Sequence, residues 1–352
     1  MNLSFKIASI PIGEKHPPFI IAEMSGNHNQ SIDKALQIVD AAAESGAHAI
    51  KLQTYTADTI TLDVKGGEFE INDPNSPWAG RNLYDLYNEA STPWEWHAPI
   101  MQRAKEKGLI CFSSPFDESA VDFLETLDAP AYKIASFENN HLPLIRKAAA
   151  TGKPLIISTG MSTLEEIQEA VEAARQGGCK NLCLLKCTST YPASPKNSNV
   201  SSISELKTRF GCEAGLSDHT MGIGVAVAAI AHGASVVEKH FTLCRADGGV
   251  DSSFSLEPAE MKSLVVETKR AWECLGTPTY GTTEAEKKSL MFRRSIYVSK
   301  DVVAGTCLSE ENLRIVRPSL GLHPRDWDSL MGKTAVRDIK RGEPTNWDMV
   351  EG

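Results

Sequence analysis

The sequence predicts an α/β protein: a (β/α)8 TIM barrel followed by a small β-rich domain. Three observations carry that expectation. Eight short apolar runs alternate with amphipathic stretches along the first three-quarters of the 352 residues. Each run ends in polar or ionisable residues, as barrel strands do at the face that holds an active site. A stretch rich in Gly, Thr and charge, GTPTYGTTEAEKKSLMF, then has the composition of a linker. The expected boundaries are 1–278 for the barrel, 279–292 for the linker and 293–352 for the small domain. A doubly wound open sheet is the rival, weakened because no GxGxxG follows the first run.

In chain order the runs are FIIAEM (19–24), AIKLQTY (49–55), LICFSSPF (109–116), AYKIAS (131–136), PLIISTG (154–160), LCLLKCTS (182–189), AGLSDH (214–219) and VVEKHFT (236–242). Strands buried on both faces read as such continuous apolar runs. Between them, SIDKALQIVDAAAESG, EWHAPIMQRAKEKG, TLEEIQEAVEAARQGG and GIGVAVAAIAHGA have helical patterning, and several close on glycine. Thr163 followed by Glu166 predicts a capping box. The connection at 56–92 is far longer than barrel loops need and leaves the catalytic face, so a substrate-covering loop is expected, against the alternative of a rim decoration. In the C-terminal part, SKDVVAGTCLSEENL resembles VRDIKRGEPTNWDMV, with Asp301 and Gly305 matching Asp338 and Gly342. Two similar half-units predict a pseudo-symmetric β-rich domain.

Composition excludes several classes. Net charge is −9, which argues against a nucleic-acid partner, since such binding needs clustered Lys and Arg. No opening segment resembles a signal peptide and no apolar run approaches membrane-spanning length, so a cytoplasmic protein without membrane association is expected. The eight cysteines form no CxxC pair, and most are expected to be reduced, buried thiols. Cys187 sits at a strand end, but no histidine neighbours it in sequence to make it a nucleophile.

The polar strand ends converge on one mouth in a barrel. They bring Glu23, Lys51, Gln53, Ser113, Ser114, Lys133, Ser136, Ser158, Thr159, Lys186 to Ser189, Ser217, His219 and Glu238 to His240 around one cavity. Lysines supply charge and hydroxyls supply directed donors, a combination suited to phosphate or carboxylate. The bland alternative is that each lysine pairs with a nearby acid and nothing binds. His219 and His240 are expected to meet and hold a metal ion. Two histidines are too few for a closed structural zinc site and leave positions open for water and a substrate oxygen. Such ligation suits Mn, Mg, Co or Zn. His28 either lines the mouth or caps the following helix. The remaining histidines are expected to be structural.

AEMSGNHN, KLQTYTAD, YKIAS, ISTGMS, KCTSTYPA, GLSDHT, EKHFTL and SLEP, in that order, resemble the sialic acid synthase family, and the C-terminal segment resembles that family's antifreeze-like (SAF, β-clip) domain. Within the family, GGVDSSFSLEP and KCTSTYPA are similar to the pseudaminic acid synthase branch. Sialic acid synthases typically carry a GPDH-like sequence where this chain has Gly249, Val250, Asp251 and Ser252. The resemblance implies condensation of phosphoenolpyruvate with the open-chain aldehyde of an acetamido sugar, here 2,4-diacetamido-2,4,6-trideoxy-L-altrose, with release of phosphate by C–O cleavage. It implies a divalent metal, Mn2+ first and Mg2+ or Co2+ next, on His219 and His240. It implies that Lys51, Ser114, Lys133, Ser136, Ser158, Ser189 and Ser217 grip phosphoenolpyruvate, and that Glu23, Glu138, Gln53, Tyr191 and Asp251 face the sugar or the reacting centre. It also implies a domain-swapped homodimer in which Arg317 touches the sugar's acyl group.

Other functions compatible with the residues are a class I aldolase using Lys133 or Lys239 as a Schiff base, a carbohydrate- or ice-binding protein led by the small domain, and a synthase for sialic or legionaminic acid or a spore-coat homologue.

Overall fold

The computed structural model describes residues 3–74 and 76–351. These divide into two compact units, Met1–Gly276 and Thr277–Gly352.

The first unit begins with a hairpin that the apolar runs do not announce: β1 (Phe5–Ile7) pairs antiparallel with β2 (Ile10–Ile12). Eight parallel strands follow: β3 (Phe19–Glu23), β4 (Ala49–Thr54), β5 (Ile110–Pro115), β6 (Tyr132–Ile134), β7 (Leu155–Ser158), β8 (Leu182–Cys187), β9 (Glu213–Asp218) and β10 (Val236–His240). Each lies within or one residue from a predicted run. They close into a barrel because β10 pairs with both β9 and β3.

Side chains alternate across a strand, and the barrel shows the consequence. One parity (Ile20, Ala22, Ile50, Leu52, Ile157, Leu184, Leu216, Val237) packs outward against helices such as α1 (Ile32–Glu44). The other parity points in. Its lower members, Phe19, Ile21, Ala49, Phe112, Ala131, Ile156, Leu185 and Val236, form an apolar plug with Phe5, Ile7 and Ile12 of the hairpin. The hairpin therefore floors the barrel, and the inward positions above the plug are left for polar groups.

The segment at 56–92 is structured: α2 (Ala57–Ile60), a 3-10 turn at Gly67–Phe69, a Glu70–Asn82 bridge and α3 (Leu83–Ala90). Then come α4 (His97–Glu106), α5 (Glu118–Thr126), α6 (Leu142–Ala150), α7 (Leu164–Gln176), α8 (Ser202–Phe210), α9 (Gly224–Ala231) and α10 (Pro258–Cys274). The Thr163 capping box forms: Thr163 N donates to Glu166 Oε2 at 2.7 Å and Glu166 N to Thr163 Oγ1 at 3.2 Å. No helix among the described residues is long and apolar enough to cross a membrane.

The second unit pairs β11 (Ser295–Val298) antiparallel with β12 (Leu313–Val316) around a small core that includes Ile296, Val298, Leu313, Leu330, Ile339 and Met349. The internal repeat has a physical counterpart here. Asp301 Oδ1 accepts from Arg341 N at 2.8 Å, and Asp338 Oδ1 accepts from Ala304 N at 2.9 Å. Each repeat's aspartate thus ties the turn of the other, on either side of the Val302–Ile339 bridge.

Candidate functional site

The polar inward positions open into a cavity of about 620 Å3 at the C-terminal ends of the barrel strands. Of the residues picked out in the sequence, Glu23, Lys51, Gln53, Lys133, Ser136, Glu138, Ser158, Tyr191, Ser217, His219, His240 and Asp251 line it. Ser114 and Ser189 join through hydrogen bonds described below. Arg317 belongs to the second unit, where it lines a separate cavity with Arg293, Arg294 and His323.

At the base, two buried lysines share two buried carboxylates. Lys51 Nζ lies 2.5 Å from Glu23 Oε2, 3.8 Å from Glu238 Oε2 and 3.1 Å from Ser114 Oγ. Lys133 Nζ donates to Ser158 Oγ at 2.6 Å and to the Ile134 carbonyl at 3.1 Å, with Glu238 Oε1 at 3.8 Å. Ser217 Oγ donates to that same Glu238 oxygen at 3.1 Å. The environment drives the two acids apart. Burial favours the neutral form of both, but at Glu238 the Lys133 and Lys51 charges win and hold its carboxyl down at about 2. At Glu23 burial prevails over Lys51 and His240, and the pKa rises. The two carboxyls are thus shifted in opposite directions, Glu23 upward and Glu238 downward. Lys51 has a Glu23 oxygen at 2.5 Å, but Lys133 has no carboxylate oxygen nearer than 3.8 Å, so the bland expectation that each lysine is closely paired with its own acid fails at Lys133. Burial lowers the Lys133 pKa, and an anion bound beside it would raise it again.

Above this layer, His219 and His240 face one another with ring centroids 5.3 Å apart. His219 Nδ1 lies 2.9 Å from the Thr188 carbonyl, an acceptor that places a ring proton on Nδ1 and orients the ring. His240 Nδ1 is buried without a hydrogen-bond partner, 3.4 Å from Asp251 Oδ2. Asp251 accepts from Ser25 Oγ, and its own N–H donates to Asn27 Oδ1 at 3.2 Å. An imidazole oriented by a backbone carbonyl, beside an orphaned ring nitrogen, fits a divalent cation. Among the described residues no group of three or more His, Cys, Asp and Glu side chains could hold a metal. The fit is to an open site with two protein ligands.

Tyr191 closes one side of the histidine pair, its ring 4.5 Å from His219 and 5.2 Å from Phe254. Ser189 Oγ donates to Ser136 Oγ at 2.8 Å. Gly160, at φ +48°, makes room for that pair, because a Cβ there would lie 2.6 Å from Ser136 Cβ and 3.0 Å from Ser189 Oγ. Glu138 lies partly exposed, yet its Oε2 is buried without a partner. Burial raises its pKa to about 7, with Lys133 pulling the other way.

Several placements differ from the sequence expectations. Lys239 has the outward parity and lies outside the cavity, closed in an ion pair with Asp218 Oδ2 at 2.8 Å and bonded to the Thr220 carbonyl at 2.6 Å. It offers no free amine for a Schiff base. His28 neither lines the mouth nor caps a helix; it is fully buried, with Nε2 3.1 Å from Thr92 Oγ1 and Nδ1 accepting from Gln30 N at 3.2 Å. Cys187 does have a histidine beside it, across the strands rather than along the chain. Burial opposes its ionisation, but the bond to His219 and that imidazole's charge hold the thiol down at about 7. The segment at 56–92 lines the cavity through Ile71, Trp78, Leu86 and Tyr87, which sequence reasoning had not singled out. Glu238 was seen only as a polar strand end. Its parity with His240, two residues on, was the signal that would have placed it inside.

A family model described as the NeuB family matches residues 38–280, and one described as the SAF domain matches 293–351. The pseudaminic acid synthase of Campylobacter jejuni is 45% identical over 92% of this chain and 94% of its own. That of Helicobacter pylori is 42% identical over 95% and 98%. Among solved structures, the spore coat polysaccharide biosynthesis protein SpsE of Bacillus subtilis superposes with a TM-score of 0.67 at 33% identity, covering 99% of both chains.

Proposed function

The chain belongs to the NeuB family, and we propose that it condenses phosphoenolpyruvate with 2,4-diacetamido-2,4,6-trideoxy-L-altrose to give pseudaminic acid and phosphate. One observation carries this reading: a buried base in which two lysines share the Glu238 carboxylate lies beneath facing histidines, in a chain 45% identical to a pseudaminic acid synthase.

Phosphoenolpyruvate brings a carboxylate and a phosphate. Lys51 and Lys133 supply cations for them, and Ser114, Ser136, Ser158, Ser189 and Ser217 supply directed donors. The sugar's aldehyde lies toward His219 and His240, with Gln53, Tyr191 and Asp251 along its length. Those two histidines would hold the divalent cation (Mn2+, Mg2+ or Co2+), whose chemistry when bound is to polarise a carbonyl oxygen. C3 of phosphoenolpyruvate forms the new bond to the aldehyde carbon. Water adds at C2, and the hemiketal phosphate loses phosphate with C–O cleavage. Glu238, ionised, stabilises positive character developing at C2. Glu23 and Glu138, both shifted toward neutrality, are the groups able to hold or release a proton for the water and the nascent hydroxyl. Holding both substrates in line supplies several kcal/mol of rate, roughly.

A second copy completes this reading. The rim residues Phe137, Met161 and Met221, after β6, β7 and β9, are exposed apolar side chains. They suit cover by another subunit's small domain, with the partner's Arg317 reaching the sugar's acyl group. A reaction drawing on phosphoenolpyruvate also fits a cytoplasmic setting.

The test is phosphate release from phosphoenolpyruvate with Mn2+, offering the trideoxy sugar and N-acetylmannosamine in parallel. Release with the trideoxy sugar alone, abolished by EDTA or by His240→Ala, is expected. Release with N-acetylmannosamine instead would overturn the sugar assignment, and release indifferent to EDTA would overturn the role of the histidines.

A further inference from the structure

The cavity has two chemically different sides. Its base is the ionic layer of Lys51, Lys133 and Glu238. The segment at 56–92 supplies another side, through Ile71, Trp78 and Leu86, next to Val250. Trp78 Nε1 donates to the Val250 carbonyl at 3.0 Å. The only hydrogen-bonding group of the indole is thereby used, and what the ring offers the cavity is hydrocarbon. Tyr191 holds the ring from another direction, centroids 5.6 Å apart.

This wall is fixed in place. Gln30 Nε2 donates to the carbonyls of Glu89 and Ser91 at 2.8 and 2.7 Å, pinning the end of the segment. A Cβ at Gly26 would lie 2.6 Å from Val250 Cγ2 and 2.9 Å from the Ala90 carbonyl, so a glycine there lets the two chain segments close together.

An open-chain sugar whose aldehyde lies at the histidines extends its other end, carrying C6, away from the ionic base. We propose that Trp78, backed by Val250 and Ile71, is a specificity-determining residue that receives the C6 methyl of a 6-deoxy acetamido sugar and disfavours a 6-hydroxyl. The identity of the substrate rests on the function proposed above. A hydroxyl against the indole would give up water and find no partner on the ring.

A matched pair isolates the C6 substituent: 2,4-diacetamido-2,4,6-trideoxy-L-altrose and its counterpart that carries a 6-hydroxyl. Both phosphate release and direct sugar binding by calorimetry would be measured. The wild-type protein is expected to favour the 6-deoxy member by about ten- to a hundredfold, the range open to an apolar pocket. Trp78→Ala is expected to bring the pair within about threefold by raising KM for the 6-deoxy sugar, leaving KM for phosphoenolpyruvate unchanged. Trp78→Phe, which keeps an apolar aromatic ring but gives up part of the ring system and the N–H bond to Val250, should retain most of the preference. Equal losses for both sugars in Trp78→Ala, or no 6-deoxy preference in the wild type, would overturn the proposal. If no acetamido sugar supports phosphate release, the proposed reaction fails separately. The calorimetric arm then decides the wall alone: a 6-deoxy preference lost in Trp78→Ala upholds it, and its absence overturns it.

Discussion

Lys133 and Lys239 are each 1% exposed, each sits on a barrel strand, and burial shifts each toward neutrality. Their partners separate them. Lys239 has a counter-charge of its own: Asp218 Oδ2 lies at 2.8 Å, while Asp218 Oδ1 accepts from Thr220 N and Thr220 Oγ1 at 2.9 and 2.8 Å. Every group in that cluster is answered, and it faces the helices. Lys133 has a hydroxyl and a carbonyl within 3.1 Å, but its nearest carboxylate oxygen is 3.8 Å away, on a carboxylate whose other oxygen faces Lys51. Residue type, burial and strand position are alike in the two cases. The face of the strand and the sharing of the counter-charge distinguish a lysine that holds the wall together from one that can take an anion.

The comparison breaks first on activity. Lys133→Met is expected to cost on the order of a thousandfold in kcat/KM for phosphoenolpyruvate, the scale of losing one charge-directed donor. It should leave the melting temperature within a few degrees, since Glu238 keeps Lys51 and Ser217. A variant that retained activity would end the assignment of Lys133 to the anion. Lys239→Met should do the reverse. It strands Asp218 in the wall, and breaking a buried pair from one side costs about 3–5 kcal/mol, read by urea denaturation. Adding Asp218→Leu should recover much of that loss. If Lys239→Met were instead stable and inactive, the division between the two lysines would be wrong.

How much of this was legible in the sequence follows from the same parity. The eight strands announce themselves because parallel strands are buried on both faces and read as unbroken apolar runs. Their polar ends mark the mouth. What the runs conceal is which polar end points inward: in VVEKH, Glu238 and His240 enter the cavity while Lys239 between them does not. Alternation alone would have separated them. Other features had no local signal. The β1–β2 hairpin is two three-residue strands, too short for a pattern. Cys187 meets His219 across the strands, over a sequence distance that no motif spans. Trp78 looks like any loop tryptophan until Val250 is seen to occupy its N–H.

Glu138 supplies a third grade of satisfaction and the smallest expected effect. It is the converse of Lys239: its Oε2 is buried with no partner at all. Burial raises its pKa from 4.5 to about 7 in the folded protein. Below pH 4.5 the carboxyl is protonated folded and unfolded, and it costs nothing. Between 4.5 and about 7 the folded state binds the additional proton, so stability falls as pH rises through that window. Above it the full cost of a buried carboxylate is present, roughly 3 kcal/mol for a shift of this size. Glu138→Gln removes the ionisation while keeping the shape. The variant should therefore gain on the wild type as pH rises from 5 toward 8, by up to about that amount in denaturant unfolding, and match it near pH 4.5. Parallel stability curves for the two proteins would mean that water or a neighbour already answers the orphaned oxygen. Glu138 would then belong with Lys239 among the satisfied groups, rather than with the residues whose charge the site leaves unanswered until a substrate arrives.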